Sequence, residues 1–566
     1  MHKILLILLL ALCLTPLSHS NASEKNQPLM VGDLLYVPVL YDGRIMPLDS
    51  FAEITFEKIA GKKLKNSAKY LTQTIFNPEV AIHAKIFTIP NAENFNLTPK
   101  ERYDFTIVSK IISDNQKTLD KLIMLPEKDL SIEQKDFLIL YDNYIIYNQL
   151  LRSMTAIIPL KISGKDTPTS YLDLLLQDPA AVQKHPETKI MAAAAKNNIL
   201  FKLIPTNQEK TNFISPWAAI TNDTPKPAHL ATLKQWQDLA LAYRAHDKTT
   251  WEQAISNLVL ISQTPITTLE KTYNDLSLVT VSLVLFILAF LFFTTQEFFK
   301  FSKGNFIARI LLGIASLTIT TDIIMRVIIT HRPPVGTLYE SILFVCATIA
   351  LGCSIYILKK LNSTAIFIAA ISGIILLLTA KSFVGVDSFS PLVAVLNTDF
   401  WLATHVIIIT AGYGFCLITS LYAHIIMFFQ NYNKKAAPYK NLNVLTILSL
   451  LFVTVGTILG GLWADQSWGR FWGWDPKENG AMLIALWIIW LLHGKITHDL
   501  PIKYYMAGIA FLSVIVALAW FGVNLLSVGL HSYGFISGIA FGLGSFIALE
   551  IVIISYLLFF HKRQVT

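Results

Sequence analysis

Six of the chain's 11 tryptophans fall between Trp463 and Trp490, in the stretch GGLWADQSWGRFWGWDPKENGAMLIALWIIW. A plain membrane-interface belt needs one or two Trp or Tyr side chains at headgroup depth. Four indoles in 12 residues, Trp463, Trp468, Trp472 and Trp474, instead make a shaped aromatic surface. Such a surface suits a flat, partly apolar ligand. The next residues are Asp475-Pro476-Lys477-Glu478. Asp is a favoured N-cap, Pro suits the first helical position and Glu at the third completes a capping box. Asp475 therefore starts a helix. A helix N-terminus offers partial positive charge to an anion, and Arg470 and Lys477 stand beside it. An aromatic platform edged by cations suits a ligand that carries carboxylates.

Two histidines give that surface a metal-binding option. His405 lies about one turn into an apolar run, after Trp401, and His531 lies in NLLSVGLHSYG. A lone histidine at a membrane face is usually structural or interfacial. Two of them at the level of four indoles form a different pattern, because neutral imidazole is a common metal ligand. Imidazoles on the two faces of a planar iron porphyrin would hold it edge-on against the aromatics. His493 is separate. It sits 15 residues beyond Glu478 on one helix, or roughly 22 Å deeper. His424 falls at a similar depth, so His493 and His424 are candidates for a second site, with snorkelling to water as the plainer role for His493. Glu340, one turn inside a helix after His331-Arg332-Pro333-Pro334, is costly unless paired. Arg326 and Arg332 are the candidate partners, and a structural salt bridge is the favoured reading.

The elements that must position these residues follow from composition. The 566-residue chain is 53% hydrophobic and 15% charged, which is no ordinary soluble composition. The apolar excess lies after Leu276. Nine runs are long enough to span a bilayer: 276–296, 306–329, 337–358, 363–383, 400–428, 442–462, 478–494, 503–523 and 535–560. Residues 1–22 (MHKILLILLLALCLTPLSHSNA) read as a secretory signal, with a retained first anchor as the alternative. Residues 23–272 read as an exported, mainly helical soluble domain for binding or docking, with no catalytic constellation. Helical periodicity runs through 134–159 and 231–262, and Pro159, Pro168, Pro179 and Pro186 punctuate the region. Asp33 to Pro47 reads as extended, with Gly43 in a turn.

The expected fold is thus an all-α polytopic membrane protein of about nine transmembrane helices with this N-terminal domain. Lys and Arg cluster in loops on the side opposite that domain, at Lys300, Lys303, Lys359, Lys360, Lys434, Lys435 and Lys495 among others. By the positive-inside rule the tryptophan loop 463–478 is then outside. The net charge of +8 resides mostly in span flanks and does not point to nucleic acid. No C-x-x-C occurs, which removes a thioredoxin-type role and a self-attached c-type haem. The exported region has no cysteine beyond Cys13 in the signal, so it has no disulfide framework.

The motif W-G-x-x-W-x-W-D-P-K-E at Trp468–Glu478 resembles the tryptophan-rich WWD signature of the haem-handling proteins of cytochrome c biogenesis. The chain most closely resembles the CcsA (ResC) branch of system II. PPVGTLYES at 333–341, THVIIITAGYG around His405, LLHG around His493 and NLLSVGLHSYG around His531 carry the likeness over about 300–530. GRIMPLDSFA at 43–52 is similar to the exported region of longer members. The resemblance implies cytochrome c maturation at the bacterial cytoplasmic (inner) membrane, with the loop on the periplasmic side. Haem b would be moved outward and presented for thioether attachment to apocytochrome CxxCH motifs, as in a cytochrome c synthase or haem lyase. It implies His405 and His531 as axial ligands of an external haem. It implies His493 as a ligand of an inner haem whose partner comes from a CcsB (ResB) subunit, or here from His424. The tryptophans would hold the ring, with Arg470, Lys477 and the Asp475 helix start steadying its carboxylates. Thiol-reducing proteins are further expected partners. The competing readings are a haem transporter or chaperone whose partner performs ligation, and a bis-His electron-transfer membrane subunit.

Overall fold

The structure is a computed structural model that describes residues 29, 31–126, 129–160, 167–197, 201–222, 226–300, 302–383, 389–392, 398–430, 432–434, 436–525 and 539–560. The expected signal segment and His531 lie outside the described residues. The chain separates into two compact units, Met1–Val39 with Ile59–Gln263, and Leu40–Lys58 with Thr264–Thr566. Contacts therefore do not follow the chain-order domains 23–272 and 273–566. Residues 40–58, which hold the whole GRIMPLDSFA motif, group with the membrane helices.

In the first unit no described helix is long and apolar enough to cross a membrane. Short helices dominate, with two small antiparallel sheets that pair Phe87–Thr88 with Arg102–Tyr103 and Ile204–Pro205 with Phe213–Ile214. Trp217, Trp236, Trp251, Phe76 and Tyr147 are fully buried in it. The expected 134–159 helix is Ile132–Ser153, started by a capping box on Ser131 and Gln134. The 231–262 pattern is two helices, Pro227–Ala245 and Lys248–Ser262. His246 turns left-handed between them and Asp247 caps the second by accepting the Thr250 N–H.

The second unit begins in a hairpin. Strands β1 (Pro38–Tyr41) and β2 (Arg44–Pro47) pair across Asp42 and Gly43, both with positive φ, as an Asp-Gly hairpin turn requires. Helix α1 (Leu48–Ala60) follows. Helix α2 (Pro265–Leu276) then leads through a left-handed Ser277 into α3 (Leu278–Phe299). Next come α4 (Gly304–Thr330), α5 (Leu338–Lys359), α6 (Ser363–Ser382), α7 (Ile407–Phe428), α8 (Ala437–Trp468) and α9 (Pro476–Ile496). The last are α10 (Ile502–Ala510), α11 (Leu512–Trp520) and α12 (Ile539–Ser555). Nine helical spans are long and apolar enough to cross a membrane among the described residues, so the chain is an all-α polytopic membrane protein.

Span boundaries have local causes. His331 takes a left-handed conformation, and Pro333-Pro334 bar continuation of α4. Thr337 and Glu340 form a capping box that starts α5. The sixth span extends past the expected end at residue 462. Nothing breaks α8 until Gly469, whose φ of 68° closes the helix as glycine does at a C-terminus. The expected loop 463–478 is therefore only 469–475, and Trp463 and Trp468 ride on α8 itself.

Lipid gives little drive for helix association, so close packing through small residues carries it. A β-carbon on Gly456 would stand 2.8 Å from the Ile409 Cα, and one on Gly412 would stand 3.0 Å from the Val453 backbone nitrogen. Helices α7 and α8 thus meet at backbone distance. On the other side of the unit, Gly373 of α6 receives the Phe286 ring of α3, only 2.6 Å from where a β-carbon would sit.

Candidate functional site

At the tryptophan end of the bundle, one cleft gathers residues from α5, α7, α8, α9 and α11. Its walls include Gly336 and Thr337, His405 and Tyr413, Gly460 and Trp463, Trp468 and Trp472, Lys477 and Trp520. Leu392, from the short described stretch 389–392, closes one side.

His405 does not sit on regular α-helix. Residues Leu402–Val406 form a π-helical turn that runs into α7. Such turns recur at functional sites because they re-aim one side chain without ending the helix. The His405 Nδ1 lies 2.8 Å from the Gly456 carbonyl oxygen. A carbonyl only accepts, so Nδ1 carries the proton and Nε2 carries the lone pair. A carbonyl bonded to the far ring nitrogen in this way fixes the tautomer and aim of metal-binding histidines. The half-buried ring also meets Trp463 edge-on, with centroids 5.8 Å apart at 62°. Gly460 makes room for it, since a β-carbon there would lie 2.6 Å from the His405 Cε1. Gly456 and Gly460 are one helical turn apart, so a single glycine-lined face of α8 receives both the α7 backbone and the imidazole.

Three of the four expected indoles line the cleft. Trp463 is 5% exposed, and its buried Nε1–H has no acceptor among the described residues. Trp468 and Trp472 are half-buried. Trp474 does not line the cleft: it is 70% exposed in a left-handed conformation, with its ring edge-to-face with Trp472 at 6.3 Å. Trp487 and Trp490 belong to another region, where the Trp487 Nε1–H donates to the Gly508 carbonyl.

The start of α9 is built as its residues indicate, with one consequence for charge. Asp475 is buried and accepts the Lys477 backbone N–H at 2.9 Å. The Glu478 Oε2 accepts N–H groups from Gly473 and Asp475 at 2.9 and 3.1 Å. The Asn479 N–H bonds the Asp475 carbonyl, and Pro476 has no N–H. The chain's own oxygens thus take up these donors at the helix start. Lys477 lines the cleft, whereas exposed Arg470 packs against Gly473 and does not.

The wall opposite the indoles rests on a buried charge cluster. Glu340 is 1% exposed and pairs with Arg326 at 3.1 Å and Arg332 at 3.2 Å. Its Oε2 also accepts the N–H groups of Gly336 and Thr337 at 2.9 and 3.2 Å. The expected structural salt bridge is present, and it braces two cleft-lining residues. Trp520 was not apparent as a site residue. It joins the wall by donating its Nε1–H to the Ser341 Oγ at 3.0 Å.

The inner histidines separate. His493 is exposed in the last turn of an unbroken α9. The Nδ1 of His424 donates to the Ser420 carbonyl at 2.9 Å, and its Nε2 lies 3.0 Å from the Glu550 carboxylate of α12. The Nδ1 of His424 is thus held by its own helix, while its Nε2 makes no hydrogen bond among the described residues. No cluster of three or more His, Cys, Asp or Glu side chains suited to a metal ion occurs among the described residues.

Residues 335–531 match the family of cytochrome C assembly proteins. The chain is 32% identical over 273 residues to the cytochrome c biogenesis protein CcsA of Prochlorococcus marinus (strain MIT 9312), covering 42% of this chain and 87% of that one. It is 31% identical to the cytochrome c biogenesis protein CcsA of Chlamydomonas reinhardtii, over 41% of this chain and 70% of that one. Protein NrfI of Wolinella succinogenes matches at 30% identity, over 38% of this chain and 24% of its own length. The span in common holds α5 to α11 and the whole described cleft, and the chain belongs to the CcsA family of cytochrome c biogenesis proteins, a multi-pass membrane protein of cytochrome c maturation.

Proposed function

We propose that the cleft binds haem at the outer face of the bacterial cytoplasmic membrane and presents it for thioether attachment to apocytochrome CxxCH motifs. The observation that carries this reading is His405 held by the Gly456 carbonyl, with the lone pair of its ring on Nε2 amid three indoles. His405 supplies one axial ligand and His531 the other. Trp463, Trp468 and Trp472 hold the macrocycle. Lys477, with the buried Trp463 N–H, receives its carboxylates. The apocytochrome histidine then displaces one imidazole. Each cysteine S–H adds across a vinyl C=C of haem b, with sulfur bonding one carbon and hydrogen the other. The protein's role is positioning, and the cofactor carries the chemistry. Exposure of His493 supports delivery from an inner site whose second ligand comes from a CcsB-type subunit. Thiol-reducing proteins keep the acceptor cysteines available.

The test is the absorption spectrum of protein purified from membranes. Wild type is expected to retain haem with a bis-imidazole spectrum. His405→Ala and His531→Ala are each expected to lose most of it, with recovery on adding imidazole. Haem-free wild type, or spectra indifferent to both changes, sinks the reading. Haem retained by wild type without cytochrome maturation in a reconstituted system assigns ligation to a partner.

A further inference from the structure

We propose that Arg44, in the hairpin near the start of the chain, is a positioning residue for the haem cleft. It acts through the stretch Phe389–Leu392, and the proposal rests on the haem reading above. Three of the four residues of that stretch are held. Phe389, 7% exposed, lies under the Arg44 guanidinium at 5.5 Å and the Arg326 guanidinium at 4.4 Å, with Tyr273 edge-on at 5.2 Å. The Ser390 carbonyl accepts from the Arg332 Nη2 at 3.5 Å. Exposed Pro391 lies beside Gly43, 3.9 Å from where a β-carbon there would be, and is not itself gripped. Leu392 fills the space beside Gly336, 2.7 Å from its missing β-carbon, and lines the cleft. One of these holds comes from Arg44. The others come from the Arg326–Arg332–Glu340 cluster and its neighbours.

Arg44 is itself fixed. Its Nη1 and Nη2 donate to the Glu270 Oε2 and Oε1 at 2.8 and 3.1 Å, and the Glu270 side chain is 0% exposed. Such a bidentate pair sets the plane of the guanidinium as well as its place. The guanidinium carbon lies over the Phe389 ring, where a cation attracts the π-system. A second clamp holds the segment that carries Arg44. Asn274 of α2 donates to Asp49 and Ser50, each at 3.0 Å, and Lys271 lies near Asp49 at 4.0 Å. The GRIMPLDS residues thus grip α2 on one side and the Phe389 stretch on the other. Loss of Arg44 frees the Phe389 end, and Leu392 three residues on no longer keeps its place against Gly336.

The test uses purified full-length protein loaded with haemin. Arg44→Ala and Phe389→Leu are both expected to speed haem dissociation by roughly tenfold, the low end of what disturbed supports of a metal site cost. Both should also shift the visible absorption bands. Arg44→Lys keeps the charge but not the fork, so it should fall between. Phe389→Leu leaves the Arg44–Glu270 pair intact and decides the matter should Arg44→Ala fail to accumulate. Wild-type dissociation rates and spectra in Phe389→Leu and in any Arg44→Ala obtained overturn the proposal. A Leu392→Cys reporter in a background without native cysteines separates this from the haem reading. Its maleimide labelling without haem should be several-fold faster with Arg44→Ala or Phe389→Leu, and equal rates overturn the proposal. A haem-free wild type overturns only the haem reading.

Discussion

Glu340→Ala is expected to destabilise the membrane unit by about 3–5 kcal/mol, the range for breaking a buried ion pair from one side. Three consequences add at this position. Arg326 and Arg332, 0% and 5% exposed, lose their shared carboxylate. The Gly336 and Thr337 N–H groups lose their acceptor. The capping box of α5 loses its glutamate, so the helix start frays toward the cleft. Low dielectric raises each cost, because water cannot replace the missing oxygens. Glu340→Gln should fall between, since an amide oxygen can still accept from backbone but carries no charge. Thermal unfolding midpoints in detergent, read beside the amount of protein in membranes, measure the series. A Glu340→Ala protein with a wild-type midpoint would show that the cluster is solvated or rearranged, and the bracing role would fall with it.

Apolar length and helix-start chemistry were legible in the residues. The nine spans could be read because each needs an unbroken apolar run of bilayer length. Asp475 and the Glu340 pairing could be read because caps and buried charges have few ways to be satisfied. Helix ends were less legible. Trp463 and Trp468 looked like loop residues, but the helix runs through its inner glycines until Gly469 turns left-handed. The glycines of α8 carry a readable signal. Gly456 and Gly460 have the small-xxx-small spacing of close helix contacts, and that spacing marks the face on which His405 lies. Glu550, a carboxylate inside the last span, likewise calls for a neighbour, and the His424 Nε2 lies 3.0 Å from it. The π-turn at His405 has no sequence signature of its own. Leu392 and Trp520 enter the cleft only through tertiary packing, and no local pattern reports that.

The glycine spacing leads to the second large effect. Gly460→Ala is expected to lower haem affinity by about 10–100-fold while leaving the fold intact, the loss typical of a disturbed outer-shell partner. The added methyl would stand 2.6 Å from the His405 Cε1 and 3.0 Å from Nδ1. The backbone of α8 is fixed by its packing on α7, so the imidazole is the group that moves. Rotation relieves the clash, but it pulls Nδ1 from the Gly456 carbonyl, 2.8 Å away in the native site. The ring then loses both its tautomer lock and its aim. Gly461→Ala is the matched control, because its methyl would meet the Phe471 ring at 2.6 Å. Phe471 is 45% exposed on the short loop and can swing outward, so ligation should change far less. Gly456→Ala is a different case, since its methyl would strike the Ile409 backbone and push α7 and α8 apart. It should therefore lower stability before it lowers affinity. Haemin titration of the three alanine variants, with unfolding midpoints alongside, distinguishes these outcomes. Equal affinity in Gly460→Ala and wild type would mean that His405 does not ligate from the position it holds here.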